Sequence, residues 1–375
     1  GAGRGNAVVA AGSAKHRREG FGRGRERAPQ LADHREAALQ YERALRWAAG
    51  ATDRTRADLH DRLGDEYGLL DRWEEALESR LTAIELWRAV GDRVREADTL
   101  RHVSTCHYRL CQGPESEEAG AAGLAILRPL GPSPELARAL MALAAQHMVN
   151  GHDQAAIVMA DEAIDLGERL GLPDVVSHAL NTRGCAKLNA GLAWIPDLEQ
   201  ALAVGLAADT PETVARAYAN LQSMSIGSYQ PARAERWYRE GMEYCEGHDL
   251  PTYANCLAGA QVTTLEWAGR WDDAVAFAQA RLAMPHLSPV NRLCTYVTLG
   301  SVHARRGLPE PAWVNLDTAL GLALPLAEPQ YLGPVHVARA EARWLEGDPA
   351  AAVDELCSAL AVVDRTDPWV AGLAA

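Results

Sequence analysis

The chain has 375 residues, of which 48% are hydrophobic and 23% charged, with a formal net charge of −13. It contains no apolar run long enough for a membrane span and no secretory signal, so we predict a cytoplasmic protein that does not insert into membranes. Phenylalanine occurs only twice, and the strong helix formers Ala, Leu, Arg and Glu dominate. These features predict an all-α protein.

The first segment, residues 1–29, is rich in glycine and arginine and has no apolar period, so we predict that it is a disordered basic tail. Residues 1–28 carry a net charge of +5, which leaves −18 on the remainder. A plain disordered segment is the favoured interpretation, and contact of the basic residues with nucleic-acid phosphates is the alternative. The acidic remainder argues against nucleic-acid binding by the rest of the chain.

A recurring alanine is the strongest pattern in residues 30–375. Successive copies lie about 40 residues apart, or about two or three times that distance where a copy has drifted, and a period of this size is typical of a helical-repeat solenoid. A second small residue often precedes the recurring alanine by seven positions. The recurring alanines are Ala44, Ala83, Ala163, Ala203, Ala319 and Ala359, and the preceding ones are Ala37, Ala76, Ala156, Ala312 and Ala352.

The first units show how the repeat is built. Residues 34–47 match only the second helix of a pair, so the array begins in the middle of a repeat. In the next unit, Gly64 and Tyr67 lie on the first helix and Asp71 marks the turn to the second helix. This L-G-x2-Y…A pattern is that of the tetratricopeptide repeat, in which small residues let paired helices approach closely.

Later units repeat the pattern with drift. Residues 96–130 form a poor copy, and Ser133 with Pro134 predicts a well-capped helix start. Further copies continue to Ala359, which gives about eight helix pairs plus the half-repeat. Neither end shows a polar cap. We therefore expect truncation from a larger parent protein, and the alternatives are an uncapped natural chain or association of copies through the uncapped ends.

Five stretches go beyond a generic repeat, namely residues 240–250, 269–274, 287–292, 299–307 and 338–348. Together they resemble the repeat region of large actinobacterial LuxR-type transcriptional regulators, the ATP-binding, MalT-like class. This resemblance implies a module that receives an inducer or a protein signal between an ATPase domain and a helix-turn-helix domain. The chain itself has no G-x4-G-K-[ST] phosphate loop and no DNA-reading helix pair after residue 360, so neither activity is assigned to it.

Catalytic and metal chemistry find little support in the sequence. The seven cysteines include no C-x-x-C pair, which predicts free thiols. His102, Cys106, His107 and Cys111 form the one metal-like cluster, but the two pairs fall on different helix faces, so the four cannot converge on one tetrahedral ion. One pair with ligands from elsewhere could bind a metal, although packed cysteines and polar-edged histidines are the favoured interpretation. We predict a non-enzymatic protein without a cofactor. A free-standing scaffold or chaperone adaptor is the first alternative, and an enzyme or metal-binding repeat protein is the second.

The concave groove is the predicted binding site. In this type of repeat the groove is lined by first-helix residues about one turn from the small residue. Carboxylates and a tryptophan there could bind a basic peptide, a protein partner or a sugar-like inducer, although an ordinary solvated groove carries similar residues. The predicted groove residues are Asp58, Asp61, Asp65, Asn181, Ser223, Thr263, Glu266, Glu341 and Trp344.

Overall fold

The computed structural model describes residues 30–362, which form 17 α-helices, two short 3-10 helices and no strand within that range. The all-α prediction is therefore confirmed, and so is the count of eight helix pairs preceded by a half-unit, α1 (Gln30–Trp47). The first helices of repeats 1 to 8 are α2 (Asp53–Leu69), α4 (Arg93–Arg109), α6 (Pro134–Val149), α8 (Pro173–Asn189), α10 (Pro211–Gly227), α12 (Pro251–Trp267), α14 (Pro289–Arg305) and α16 (Pro329–Leu345).

The second helices follow after short turns. They are α3 (Trp73–Val90), α5 (Gly113–Leu127), α7 (Asp153–Leu170), α9 (Ile195–Ala207), α11 (Pro231–His248), α13 (Trp271–Leu282), α15 (Pro309–Leu326) and α17 (Pro349–Val362). The predicted disordered tail, the missing partner of α1 and the end of the chain after Val362 lie outside the described residues.

Helix starts and turns explain the period. Proline lies in the first turn of most of these helices, where its missing N–H removes no helical hydrogen bond, and Ser133 caps α6 by accepting from Leu136 N at 3.1 Å. Each pair turns at one residue with positive φ, and the eight turn residues follow one another at intervals of 38 or 40 residues. They are Asp71, Cys111, Gly151, Gly191, Tyr229, Gly269, Gly307 and Gly347.

The eleventh residue of the second helix is a position of close approach between helices. Ala83, Ala163, Ala319 and Ala359 occupy it and are fully buried. The assignment of Ala203 to this position is wrong, because Ala203 is exposed. Helix α9 instead places Gly205 there, where an added Cβ would come within 2.8 Å of Val214. A longer turn before α9 shifts the alignment by two residues.

The helices form two layers. Successive first helices contact one another along the array, whereas contacts between successive second helices are marginal within residues 30–362. The first helices therefore form the inner, concave layer and the second helices the outer layer. This arrangement places the inner-face residues of the first helices around a common interior.

The array curves until its first repeats contact its last ones. Helix α2 contacts α12, α4 contacts α14, and α5 contacts α15. Thr252 Oγ1 donates to the Gly68 carbonyl oxygen at 2.9 Å, and the hydroxyls of Tyr108 and Tyr331 lie 3.1 Å apart. We call this zone, between repeats 1–2 and repeats 6–8, the seam. Through the seam, the inner layers of the first and last repeats come into contact.

Two seam residues stand where other turns have glycine. Asp71 and Cys111 have φ of 60° and 59°, a region that disfavours side chains by roughly 1–2 kcal/mol, yet both are only 4% exposed. The Asp71 carboxylate accepts from Asn255 Nδ2 at 3.0 Å and from the Ser288 backbone N–H at 3.2 Å. Cys111 packs in an apolar seam cluster. The contacts across the seam stabilise the strained turn conformation.

Candidate functional site

Four of the nine predicted groove residues line one cavity. It has a volume of about 440 Å³ and lies among the inner helices of repeats 6, 7 and 8, with α17 at one side. Thr263 and Glu266 come from α12, and Glu341 and Trp344 come from α16. We call this cavity the C-terminal pocket. The two-layer packing explains it, because successive inner helices present the same face to a shared interior.

The walls of the C-terminal pocket are largely apolar. Val297 of α14 and Pro334 and Val337 of α16 contribute hydrocarbon surface, with the Tyr331 ring beside them. The Trp344 side chain is 67% exposed at the pocket. A solvent-facing indole next to an apolar wall is suited to cover a ligand that is partly hydrophobic.

An arginine bridges the two pocket carboxylates. Arg305 donates from Nη1 to Glu266 Oε1 at 2.8 Å, and from Nε and Nη2 to the two Glu341 oxygens at 2.7 and 2.8 Å. Burial raises the pKa of Glu266 to about 7, and Arg305 opposes that shift. One wall of the pocket is therefore a charge-paired polar patch with one carboxyl that titrates near neutral pH.

Asp58 and Asp65 of α2 lie elsewhere, in ion pairs. Asp58 accepts from Arg62 Nε at 2.8 Å and from Arg95 Nη2 at 3.2 Å. Asp65 accepts from Arg80 Nη2 at 2.8 Å. These pairs link the helices of repeats 1 and 2 to one another.

Asp61 is buried between the helices of repeats 1 and 2. It is 8% exposed and accepts from the Trp87 indole N–H at 2.8 Å and from the Thr99 hydroxyl at 2.9 Å. Burial raises the pKa of Asp61, while the Trp87 hydrogen bond and the Arg80 charge lower it. The carboxylate thus joins α2, α3 and α4.

The remaining two predicted residues lie in the middle of the array. Asn181 of α8 is 1% exposed, and its Oδ1 accepts from Arg216 Nη1 at 2.8 Å and from Asn220 Nδ2 at 2.5 Å. Ser223 is half-buried on α10. Neither residue lines the C-terminal pocket, so the nine predicted residues do not form one site.

The prediction missed Arg305 and the apolar wall of the pocket. Arg305 follows Glu266 by 39 residues and precedes Glu341 by 36, which is about one repeat in each direction. Opposite charges at repeat spacing on successive first helices would have identified this bridge. The apolar wall residues carry no comparable signal, since core and pocket residues look alike in sequence.

The metal-like cluster serves packing and hydrogen bonding. Among residues 30–362 no group of His, Cys, Asp or Glu side chains is arranged to hold a metal ion. His102 lies 2.6 Å from Arg101 Nη2, and burial with Arg101 beside it lowers the His102 pKa well below its usual value. Cys106 is 1% exposed in an apolar cluster.

No helix within the described range 30–362 is both long and apolar enough to cross a bilayer.

Comparison with solved structures supports the architecture. The chain is similar to a Rap protein complexed with competence and sporulation factor, with a TM-score of 0.62, 12% identity, and coverage of 86% of this chain and 94% of that one. It is also similar to aspartyl phosphate phosphatase F from Bacillus subtilis, with a TM-score of 0.50, 13% identity, and coverage of 85% and 89%. The sequence matches no protein-family model and no curated protein.

At these identities the likeness concerns the fold alone. The chain is an all-α, tetratricopeptide-like helical-repeat superhelix. The predicted tetratricopeptide-like repeat is thereby confirmed, while the LuxR-type resemblance stays a prediction.

Proposed function

We propose that this chain is a non-enzymatic binding module whose C-terminal pocket receives a peptide or an extended segment of a partner protein. The cavity among repeats 6 to 8 carries the proposal, because it combines an apolar wall, the exposed Trp344 indole and the carboxylates bridged by Arg305. An extended chain could lay apolar side chains against Val337 and Pro334 and direct backbone N–H groups at the carboxylates.

The similar Rap protein is described as complexed with competence and sporulation factor. That description concerns the other protein, and it supports the idea that such a superhelix can hold a signalling factor. The pocket also suits the sensing role implied by the LuxR-type resemblance. In that setting, binding would shift the equilibrium between arrangements of the array and thereby bias attached ATPase and DNA-binding domains.

The regulator context has a direct test of its own. The genomic reading frame on either side of residues 1 and 375 should encode an ATPase module with a G-x4-G-K-[ST] loop upstream and a helix-turn-helix downstream. A complete gene that encodes only this chain would instead favour a free-standing scaffold. This result would leave the binding role of the pocket untouched.

Binding can be tested with a random decapeptide display library panned against the full chain, followed by calorimetry of the enriched peptides. We expect Trp344→Ala to weaken binding by at least about tenfold, because large aromatic contacts dominate such interfaces. Val337→Glu should weaken it as well, since it places a charge on the apolar wall. Folding should be unaffected by Trp344→Ala because that side chain is largely exposed.

Trp47→Ala is the matched control. Trp47 is 85% exposed on α1, far along the chain from the pocket, so its removal should leave peptide affinity unchanged. The proposal fails if no enriched peptide binds at high-micromolar concentration, or if Trp344→Ala and Trp47→Ala bind alike.

A further inference from the structure

A second inner-face feature lies between repeats 4 and 5, outside the C-terminal pocket. Arg216 of α10 is half-buried and points at α8. It donates to the His178 carbonyl oxygen at 3.3 Å, to Asn181 Oδ1 at 2.8 Å and to Thr182 Oγ1 at 3.2 Å. All three acceptors are neutral.

Within residues 30–362, Arg216 has no carboxylate within ion-pair distance. Other inner arginines of the neighbouring repeats do have one: Arg101 pairs with Asp98 at 2.8 Å and Arg138 pairs with Asp174 at 3.3 Å. A partly desolvated guanidinium without a counter-charge is unfavourable. Burial lowers the pKa of Arg216, and the charge of Arg109 lowers it further.

The surroundings of Arg216 supply further donors. Asn181 is 1% exposed, and among residues 30–362 its Nδ2 has no hydrogen-bond partner, while its Oδ1 accepts from both Arg216 and Asn220. The buried Nε of Arg109, from the seam end of α4, also lacks a partner within the described part of the chain. Arg109 forms no ion pair with a carboxylate of residues 30–362, and it donates from Nη1 to Cys256 Sγ at 3.3 Å.

The charges of Arg101 and Arg109 in this part of the interior are both positive, like that of Arg216. Burial lowers the pKa of His178 well below its usual value, and Arg216 and Arg101 lower it further, so His178 is neutral near neutral pH. The carboxylate of Asp98 is already bonded to Arg101 through both Nε and Nη2. The interior around Arg216 therefore carries positive charge, and the Asp98 carboxylate is bound by Arg101.

We propose that Arg216, held against α8 by Asn181 and Thr182 and with the charge of Arg109 nearby, forms a binding site for a small oxyanion carrying a carboxylate or phosphate group. Guanidinium groups bind both through paired N–H···O hydrogen bonds. Such an anion would neutralise the unpaired charge of Arg216. The site is independent of the C-terminal pocket.

The test measures anion binding to the full chain by calorimetry and by the thermal unfolding midpoint. Inorganic phosphate and succinate are titrated separately, with sodium chloride holding the ionic strength constant. We expect at least one of them to bind and to raise the midpoint. Stronger binding of phosphate would assign a phosphate ligand, and stronger binding of succinate would assign a carboxylate ligand.

Arg216→Gln should weaken binding by about tenfold to a hundredfold, the loss expected for charge-assisted hydrogen bonds. Without anion, its unfolding midpoint should equal or exceed that of the natural chain, because an unpaired charge is removed. Arg216→Lys keeps the positive charge but lacks the paired N–H donors of the guanidinium. Its affinity for the anion should therefore lie between those of Arg216→Gln and the natural chain.

Arg128→Gln is the matched control, since Arg128 is exposed and pairs with Glu162 at 3.2 Å on the outer side. It should bind the anion as the natural chain does, and so should Trp344→Ala, which separates this site from the peptide pocket. The proposal is overturned if neither anion binds, or if Arg216→Gln binds as tightly as Arg128→Gln.

Discussion

Repeats 1 and 7 use the same helix positions for different purposes. Gly64 and Gly300 are each the twelfth residue of a first helix, and each faces the eighth residue of the following second helix. In repeat 1 that residue is Arg80, which would lie 2.9 Å from a Cβ added to Gly64. In repeat 7 it is Leu316, which would lie 2.5 Å from a Cβ added to Gly300. A buried arginine requires carboxylates, whereas a buried leucine requires none.

This difference decides what the carboxylates on the first helices bind. In repeat 1, Asp65 and Asp61 are both drawn to Arg80, so the inner carboxylates fasten helices together. Glu341 of repeat 8 occupies the same helix position as Asp65, but it pairs with Arg305 of the preceding first helix beside the C-terminal pocket. A predicted groove residue therefore becomes a packing residue or a pocket residue according to its neighbour on another helix.

The largest expected effect comes from Asp71, the buried turn residue of repeat 1 that accepts hydrogen bonds across the seam. Asp71→Ala leaves the Asn255 amide, the Ser288 N–H and the Trp73 indole N–H without an acceptor. We expect a loss of about 3 kcal/mol or more in the free energy of unfolding, since each buried unsatisfied group costs roughly 1–3 kcal/mol. Urea denaturation measures it.

Asp209→Ala is the control for Asp71→Ala. Asp209 also has positive φ, at 51°, but it is exposed and lies outside the seam. Its replacement reports the backbone penalty alone. Equal losses in the two variants would mean that the seam contacts of Asp71 add no stability.

The second largest expected effect is a pH-dependent change of up to about 3 kcal/mol in the free energy of unfolding. It comes from the pocket carboxyl of Glu266. Its pKa is raised from 4.5 to about 7 in the folded chain, so the folded state holds the proton more tightly than the unfolded state does. The stability from this group is present below pH 4.5 and is lost as the pH rises through 7. The glutamine side chain in Glu266→Gln does not titrate, so this variant lacks that loss of stability.

We therefore expect Glu266→Gln to become progressively more stable than the natural chain between pH 5 and pH 8. Denaturant unfolding at several pH values gives the difference directly. A difference that stays constant over this range would show that Glu266 ionises as freely in the fold as in the unfolded chain, and it would remove the contrast between the pocket and repeat 1.

The smallest expected effect is the difference in stability loss between variants of Asp65 and Glu341, which occupy the same helix position. Asp65→Asn removes the charge that pairs with the buried Arg80 side chain. This should lower the free energy of unfolding by about 1–3 kcal/mol. Glu341→Gln leaves Arg305 paired with Glu266 at a partly exposed site, and should cost less than about 1 kcal/mol. Parallel urea titrations test this order. The reverse order would mean that pocket carboxylates stabilise the fold more than packing carboxylates do.

Local patterns predicted the fold well because they act over short distances. The small residues, the prolines and the turn positions each specify one helix or one turn, and they gave eight helix pairs and a half-unit. The same reasoning failed at Ala203, where the turn before α9 is longer, because the alanine period was followed without the burial that identifies Gly205.

The predicted site was harder to derive because its geometry depends on distant contacts. Thr263, Glu266, Glu341 and Trp344 share a pocket, as their common groove assignment suggested. Asp61 is instead enclosed by Trp87 and Thr99, and nothing in a single repeat indicates that. The seam joins residues that are 147 to 223 positions apart, such as Arg109 with Cys256 and Tyr108 with Tyr331, which no repeat pattern encodes.

The seam also restricts how such a chain can evolve. An open repeat array can gain or lose a unit by duplication or deletion, because each unit contacts only its neighbours. Here one additional repeat between repeats 2 and 6 would move Asn255 and Ser288 out of reach of Asp71 and would place a different backbone opposite Gly113, where Leu326 O leaves no space for a Cβ. The number of units between the two sides of the seam is therefore fixed by geometry, and change in this protein is confined to substitutions and to its two ends.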